Sequence, residues 1–277
     1  MENLASGGRL GDGPALPLLS LGRSSEPRPG PRAARPIQPG DLMPKPLKPP
    51  APATAREMPL TQTMREYLKT AYRLCNGGDS LTVTALAEAQ RVAPASATAM
   101  VKKLTRLGLF THPHYGAIRL TEEGVRQALL AVRRHRLLEC FLVRVLRYGV
   151  DEVHDESHRL EPAISERFVA KMDDVLGHPR HCPHGDPIPD VNGAMEKVEK
   201  IPLTQLEEGR AAQIATIPGS KRDLLRYLIK LGIIPERPIC VLRREPFGGP
   251  LHLKLGRKTV LLGPEAAEHV YVCAAEA

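Results

Sequence analysis

The sequence predicts a mainly α chain with α+β character, and three patterns along it carry that expectation. "TMREYLKTAYRLC", "TVTALAEAQRV" and "APASATAMVKKLTRLG" are short helical segments that lead into a hairpin-like stretch, "LFTHPHYGAIRLT". "GVRQALLAVRRHRLLECFLVRVLRYG", "VHDESHRLEPAIS" and "SERFVAKMDDVLGHP" form a second helical block. The C-terminal end then alternates β-prone runs with a single helix, "KRDLLRYLIKLG". Those runs, "AAQIATI", "PICVLRREP", "LHLKLG", "KTVLLG" and "HVYVCA", read as a small barrel of about five strands.

Each element has a local cause. Met64, Tyr67, Leu68, Ala71, Leu74 and Cys75 fall on one face of the first helix, and "NGGDS" stops it. Pro94 suits the first turn of the third helix and Gly108 its end. Three short helices before a hairpin outline a winged helix-turn-helix, whose last helix enters the major groove of DNA. That helix carries Ser96, Thr98, Lys102 and Lys103. Its hydroxyls suit base edges or phosphates, and the lysines neutralise phosphates; an ordinary solvated face is the plainer reading of the same lysines. His112 and His114 fall in the wing. Ala128, Val132, Leu142 and Leu146 mark an apolar stripe of the long helix, and Ser165 and Gly177 suit the two ends of the helix between them.

The first 57 residues break the pattern. "EPRPGPRAARPIQPGDLMPKPLKPPAPATARE" is rich in Pro, Ala and basic residues without an apolar period, which predicts a disordered, basic tail. The chain of 277 residues has 39 Lys and Arg against 31 Asp and Glu, a formal charge of +8. Such a balance favours an acidic partner, nucleic acid first and an anionic membrane surface second. Five cysteines with no CxxC pair fit a reducing cytoplasm. No apolar run reaches the roughly 18 residues of a membrane span, and the start lacks an export signal.

Polar residues on the central helices carry the chemistry. His135 and Glu139 are four apart, so their side chains can converge on one point. His154, His158 and Glu161 repeat the arrangement on the next helix. One such pair alone is more often a solvated surface pair than a ligand pair. Two on consecutive helices, each bordering an apolar stripe, can gather around a divalent ion as bundle metal sites do. Imidazole with carboxylate suits manganese, ferrous iron, cobalt, nickel or zinc. "HPRHCPHG" offers a weaker second group, His178, His181 and His184 with Cys182, because no further ligand pair stands nearby in sequence.

The order of a winged helix, "RRHRLLECFL", "VHDESHRLE", a "GHP…PHGDPIP" loop and a small barrel resembles the diphtheria-toxin-repressor and manganese-transport-regulator family, from about Met58 to Ala277. Its end, with "REPFGGP", resembles the SH3-like domain of ferrous-iron-transport-A type. The resemblance implies a cytoplasmic homodimer that binds a palindromic double-stranded operator when loaded with Mn(II) or Fe(II) and represses genes of metal homeostasis; a candidate set with neither Met nor thiolate favours manganese. It makes His135, Glu139 and His154 the helical ligands of the ancillary site. Glu66, His158 and Glu161 become those of the primary site. Two positions depart from the pattern: Pro162 replaces a ligating histidine, and Lys69 stands where the manganese branch has a glutamate.

The implied division is a tail over 1–57, a DNA-binding domain over 58–124, a helical metal-binding and dimerisation domain over 125–190, a linker over 191–201 and the SH3-like domain over 202–277. No enzyme and no small-molecule substrate are expected. A winged-helix regulator with altered metal control is the first alternative, and a metallohydrolase, for which the chain has no HExxH motif, is the second.

Overall fold

The computed structural model describes residues 60–75, 81–112 and 117–274. The expected tail and His114 of the wing lie outside them.

Three helices, α1 (Gln62–Cys75), α2 (Val83–Gln90) and α3 (Pro94–Arg106), precede a short antiparallel pair, β1 (Phe110–Thr111) and β2 (Arg119–Leu120). The apolar face of α1 buries Met64, Tyr67, Leu68 and Ala71, but Leu74, in the last turn, is 36% exposed. Thr82 caps α2 by accepting from the Ala85 N–H at 3.1 Å, and Arg91 ends it in the left-handed region. Pro94 opens α3, and Gly108, with φ of +71°, turns the chain into the wing. Leu86, Val101, Leu104, Phe110 and Ile118 close one core with α1. This is the winged helix-turn-helix.

Helix α4 (Glu122–Arg144) runs from that core into a second one. The Thr121 hydroxyl accepts from the Gly124 N–H at 3.0 Å and donates to the Gly108 carbonyl at 2.7 Å, so one side chain caps α4 and fastens it to the wing. At its far end Leu137, Leu138 and Leu142 pack with Val153, Val169 and Met172 from α5 (Val153–Leu160) and α6 (Glu166–Leu176). The sequence stripe overran here: α4 stops at Arg144, so Leu146 lies beyond the helix and is 52% exposed. Ser165 and Gly177 cap α6 as their residue types require. Helix α5 stops at Leu160 and gives way to a 3-10 turn, Glu161–Ala163; Glu161 keeps helical geometry despite the proline after it, and the α-helical ladder ends because Pro162 has no N–H to donate.

The C-terminal part is an open, SH3-like antiparallel sheet. Its strands are β3 (Ile201–Pro202), β4 (Ala211–Thr216), β5 (Pro238–Arg244), β6 (Leu251–Leu255), β7 (Lys258–Leu262) and β8 (Tyr271–Ala274), in the order β3-β8-β4-β5-β6-β7. β3 is additional to the five expected strands, since two residues display no period. Helix α7 (Arg222–Leu231) covers the sheet with Leu225 and Leu228, over Ile214, Val241 and Leu253; the short α8 (Pro264–Ala267) adds Ala267. Residues 181–187 lie against this sheet: the Ile217 N–H donates to the His184 carbonyl at 3.0 Å. Gly185, at φ +89°, has no room for a Cβ under the Ala215 carbonyl. Among the described residues no helix is long and apolar enough to cross a membrane.

Candidate metal centre

Helix α4 projects His135 and Glu139 from adjacent turns towards α5, which projects His154 and His158. The residues meet. His135 Nε2 lies 3.1 Å from Glu139 Oε1 and 3.3 Å from His154 Nδ1, and His154 Nδ1 lies 3.2 Å from the same Glu139 oxygen. Glu139 is only 2% exposed, and a buried carboxylate is costly unless neutralised. Burial opposes its ionisation, but the charge and hydrogen bond of His135, with bonds from His154 and His184, hold it well below the usual carboxylate range. Burial likewise disfavours charge on His135, yet Glu139 and the bonds to Glu139 and Glu161 raise it to about 9.

These atoms fit a divalent ion. Ligand atoms bound at about 2.0–2.2 Å stand roughly 3.0–3.4 Å from one another around a metal, which is the spacing of this trio. Protons satisfy it less well: with a hydrogen on each ring nitrogen, the imidazoles repel at 3.3 Å.

A second pair reaches the same carboxylate from the 181–187 loop. His184 Nδ1 lies 3.5 Å from Glu139 Oε2 and 4.0 Å from Cys182 Sγ, and both residues are buried. The His184 Nε2–H donates to the Val150 carbonyl at 3.1 Å, which turns Nδ1 inward to Glu139; that atom becomes a ligand lone pair once its proton is given up. Burial and then the Glu139 charge push the Cys182 thiol well up, so it stays neutral unless a cation takes its place. The loop group expected from sequence is therefore divided. Cys182 and His184 turn inward, whereas His178 bonds Asp173 at 2.8 Å with its own ring exposed and His181 bridges to Pro187. Their missing partner was Glu139, far back in the chain, and only the imidazole and thiol in one proline-stiffened loop hinted at it.

Glu66, His158 and Glu161 gather nearby, their nearest ligand atoms within 4.8 Å of one another. Glu161 is fully buried and His158 is exposed. Burial disfavours a charged Glu161, but His135 and Lys69 bring it down to about 2. Partial burial and the charges of His135, Lys69 and His154 push His158 down to about 4. The Lys69 ammonium stands among these residues, 2.7 Å from Glu66 Oε1 and 3.0 Å from Glu161 Oε2.

On α3, Ser96, Lys102 and Lys103 are exposed on the outer side of the helix, while Thr98 is half-buried and its hydroxyl donates to the Pro94 carbonyl at 2.8 Å. Thr98 thus keeps only acceptor capacity for a partner.

Comparison with known proteins agrees over most of the described residues. Residues 59–118 match the iron-dependent-repressor N-terminal DNA-binding domain, residues 121–190 its metal-binding and dimerisation domain, and residues 201–273 the FeoA domain. A manganese-dependent transcriptional repressor solved in complex with manganese is 37% identical, with a TM-score of 0.70 over 76% of this chain and 99% of its own. The chain belongs to the iron-dependent-repressor family of metal-dependent transcriptional regulators. The structure of ScaR with bound Cd2+ is similar at 30% identity and a TM-score of 0.65, over 76% of this chain and 99% of its own. The iron-dependent repressor IdeR of Mycobacterium leprae is 28% identical over 227 residues, 77% of this chain and 97% of the relative. Family membership accounts for the order of winged helix, helical block and SH3-like sheet, and for the FeoA resemblance of the last part.

Proposed function

We propose that the chain is a metal-dependent repressor that binds operator DNA as a homodimer when a divalent transition metal is bound, and so controls genes of metal-ion homeostasis. The observation that carries this reading is the meeting of His135 Nε2, His154 Nδ1 and Glu139 Oε1 within 3.3 Å of one another. Cys182 and His184 extend the donor set around Glu139. Glu66, His158 and Glu161, the second set expected from the sequence, gather next to α1 of the DNA-binding part with the Lys69 ammonium among them. Mn(II) is preferred over Fe(II) because a solved relative at 37% identity carries manganese by its title. The Cys182 sulfur, a softer donor, keeps Fe(II) and zinc as comparison ions.

His135, Glu139 and His154 would hold a divalent ion, whose charge would let their lone pairs converge. Glu139 then no longer needs a protonated imidazole, and α4 and α5 are held in one arrangement. Ser96, Thr98, Lys102 and Lys103 face the DNA, in a dimer whose recognition helices are about one DNA turn apart. Metal favours this arrangement only by binding it better than the alternatives, since equal affinity shifts nothing. The domain limits follow the same reading: tail to residue 57, DNA-binding domain over 58–124, metal-binding and dimerisation domain over 125–190, and SH3-like domain from 202 after a linker. Three separate apolar cores support them.

The test is a gel-shift titration with DNA selected from a random pool, with Mn(II) and with chelator. Metal is expected to tighten binding greatly and His154→Ala to remove the effect. Lys102→Ala and Lys103→Ala should each lower the salt slope by about 1. Affinity that ignores both chelator and His154→Ala favours the second reading, a winged-helix regulator with altered metal control, which the Lys69 ammonium at the Glu66 cluster motivates. The metallohydrolase alternative is opposed by relatives that are named as repressors.

A further inference from the structure

The Glu66, His158 and Glu161 cluster has the spacing of a cation site, and the chain places a cation of its own inside it. Lys69 Nζ lies 2.7 Å from Glu66 Oε1 and 3.2 and 3.0 Å from the two oxygens of Glu161, with its side chain only 13% exposed. Glu66 and Lys69 sit one turn apart on α1, while Glu161 comes from the 3-10 turn after α5. The ammonium therefore joins the winged helix to the helical core. Glu161 is 0% exposed, and a carboxylate that deep persists only when paired. Lys69 pairs it on one side, and His135 Nδ1, 3.2 Å from Oε2, on the other. Gln62 Nε2 also donates to Glu66 Oε1, at 2.7 Å, and Pro162 adds no donor of its own. A divalent ion between these carboxylates would meet the ammonium at close range in a poorly screened site.

We propose that Lys69 is the permanent cation of this joint, that no metal ion is taken up there, and that Glu161 positions His135 rather than ligating metal. The proposal rests on the reading of His135, Glu139 and His154 as the metal centre and supplies its route to DNA. The ring whose Nε2 faces the centre is held at Nδ1 by the carboxylate that anchors α1. Carboxylates commonly orient ligating imidazoles in this way; here the outer partner of that carboxylate is a lysine of the DNA-binding part.

The test is calorimetric titration of the full chain with Mn(II) chloride, with bound metal counted by elemental analysis after gel filtration. Glu66→Gln is expected to leave the number of ions and their affinity unchanged. Lys69→Glu puts a carboxylate where the ammonium stood and should add one further ion per chain. Glu161→Gln should keep the ion number and weaken affinity by about 10- to 100-fold. Loss of an ion in Glu66→Gln, or no gain in Lys69→Glu, overturns the proposal. Should Lys69→Glu fail to fold, Glu66→Gln, a near-isosteric change of a half-buried side chain, still decides it. A His154→Ala variant that binds as the wild type does would instead overturn the metal-centre reading and with it the role given to Glu161. The Glu66 and Lys69 variants judge the joint separately.

Discussion

His135 gathers interactions from α4, α5, the 3-10 turn and α1. It faces Glu139 on its own helix, His154 and His158 on α5, Glu161 on the 3-10 turn, and it feels the Lys69 charge from α1. In metal-free protein its value is raised from 6.5 to about 9. A raised imidazole contributes stability that is fully present below its unfolded value and is lost as the pH climbs through about 9. Coordination at Nε2 needs that proton removed, so metal binding and protonation compete. From about pH 7 to 8, one proton should leave His135 for each ion bound, and affinity should fall about tenfold per unit of acidification. Titration calorimetry in two buffers of different ionisation enthalpy measures this. Enthalpies that do not depend on the buffer would contradict it. His135 and Glu139 were legible as a pair from their spacing alone. The pairing of His135 with Glu161 was not, because a spacing rule describes one helix at a time.

At the scale of elements, α4 joins the DNA-binding part to the metal centre, and Gly124 fixes how it starts. A Cβ at Gly124 would fall well inside contact distance of the Leu109 carbonyl oxygen at the wing, with Leu120 Cδ2 at 3.2 Å. Gly124→Ala should therefore push α4 from the wing and cost about 1–3 kcal/mol, as overpacking does, read as a lowered midpoint in urea unfolding. An unchanged midpoint would mean that the helix start yields easily. Most elements could be read from local signals: Pro94 and Gly108 around α3, Ser165 and Gly177 around α6, and the break that Pro162 forces after α5. The errors fell at ends. Leu74 and Leu146 continue an apolar period past the point where packing uses it, because the period says nothing about where a neighbouring element stops.

At the scale of the molecule, the SH3-like sheet stands behind the metal centre through the 181–187 loop. A Cβ on Gly219 would lie 2.8 Å from His184 Nδ1, the atom that faces Glu139 and Cys182. Gly219→Ala should shift that ring and weaken metal binding by about tenfold, a magnitude usual for disturbed support around a site, while the melting temperature changes little. If affinity is unaltered, His184 lies outside the functional donor set. This dependence of a helical site on a distant sheet had no signature in the order of the residues.

The amino-acid order by itself determined most of the helices and strands, the winged helix, and the facing imidazoles and carboxylates of α4 and α5, since periodicity, caps and four-residue spacings are short-range. Folding alone decided which donors share an atom's width of space. It set Cys182 and His184 against Glu139 and put the Lys69 ammonium between Glu66 and Glu161, because those partners lie on separate elements and only the packing of α1, α5 and the loop onto α4 brings their charges close enough to neutralise one another in a buried place.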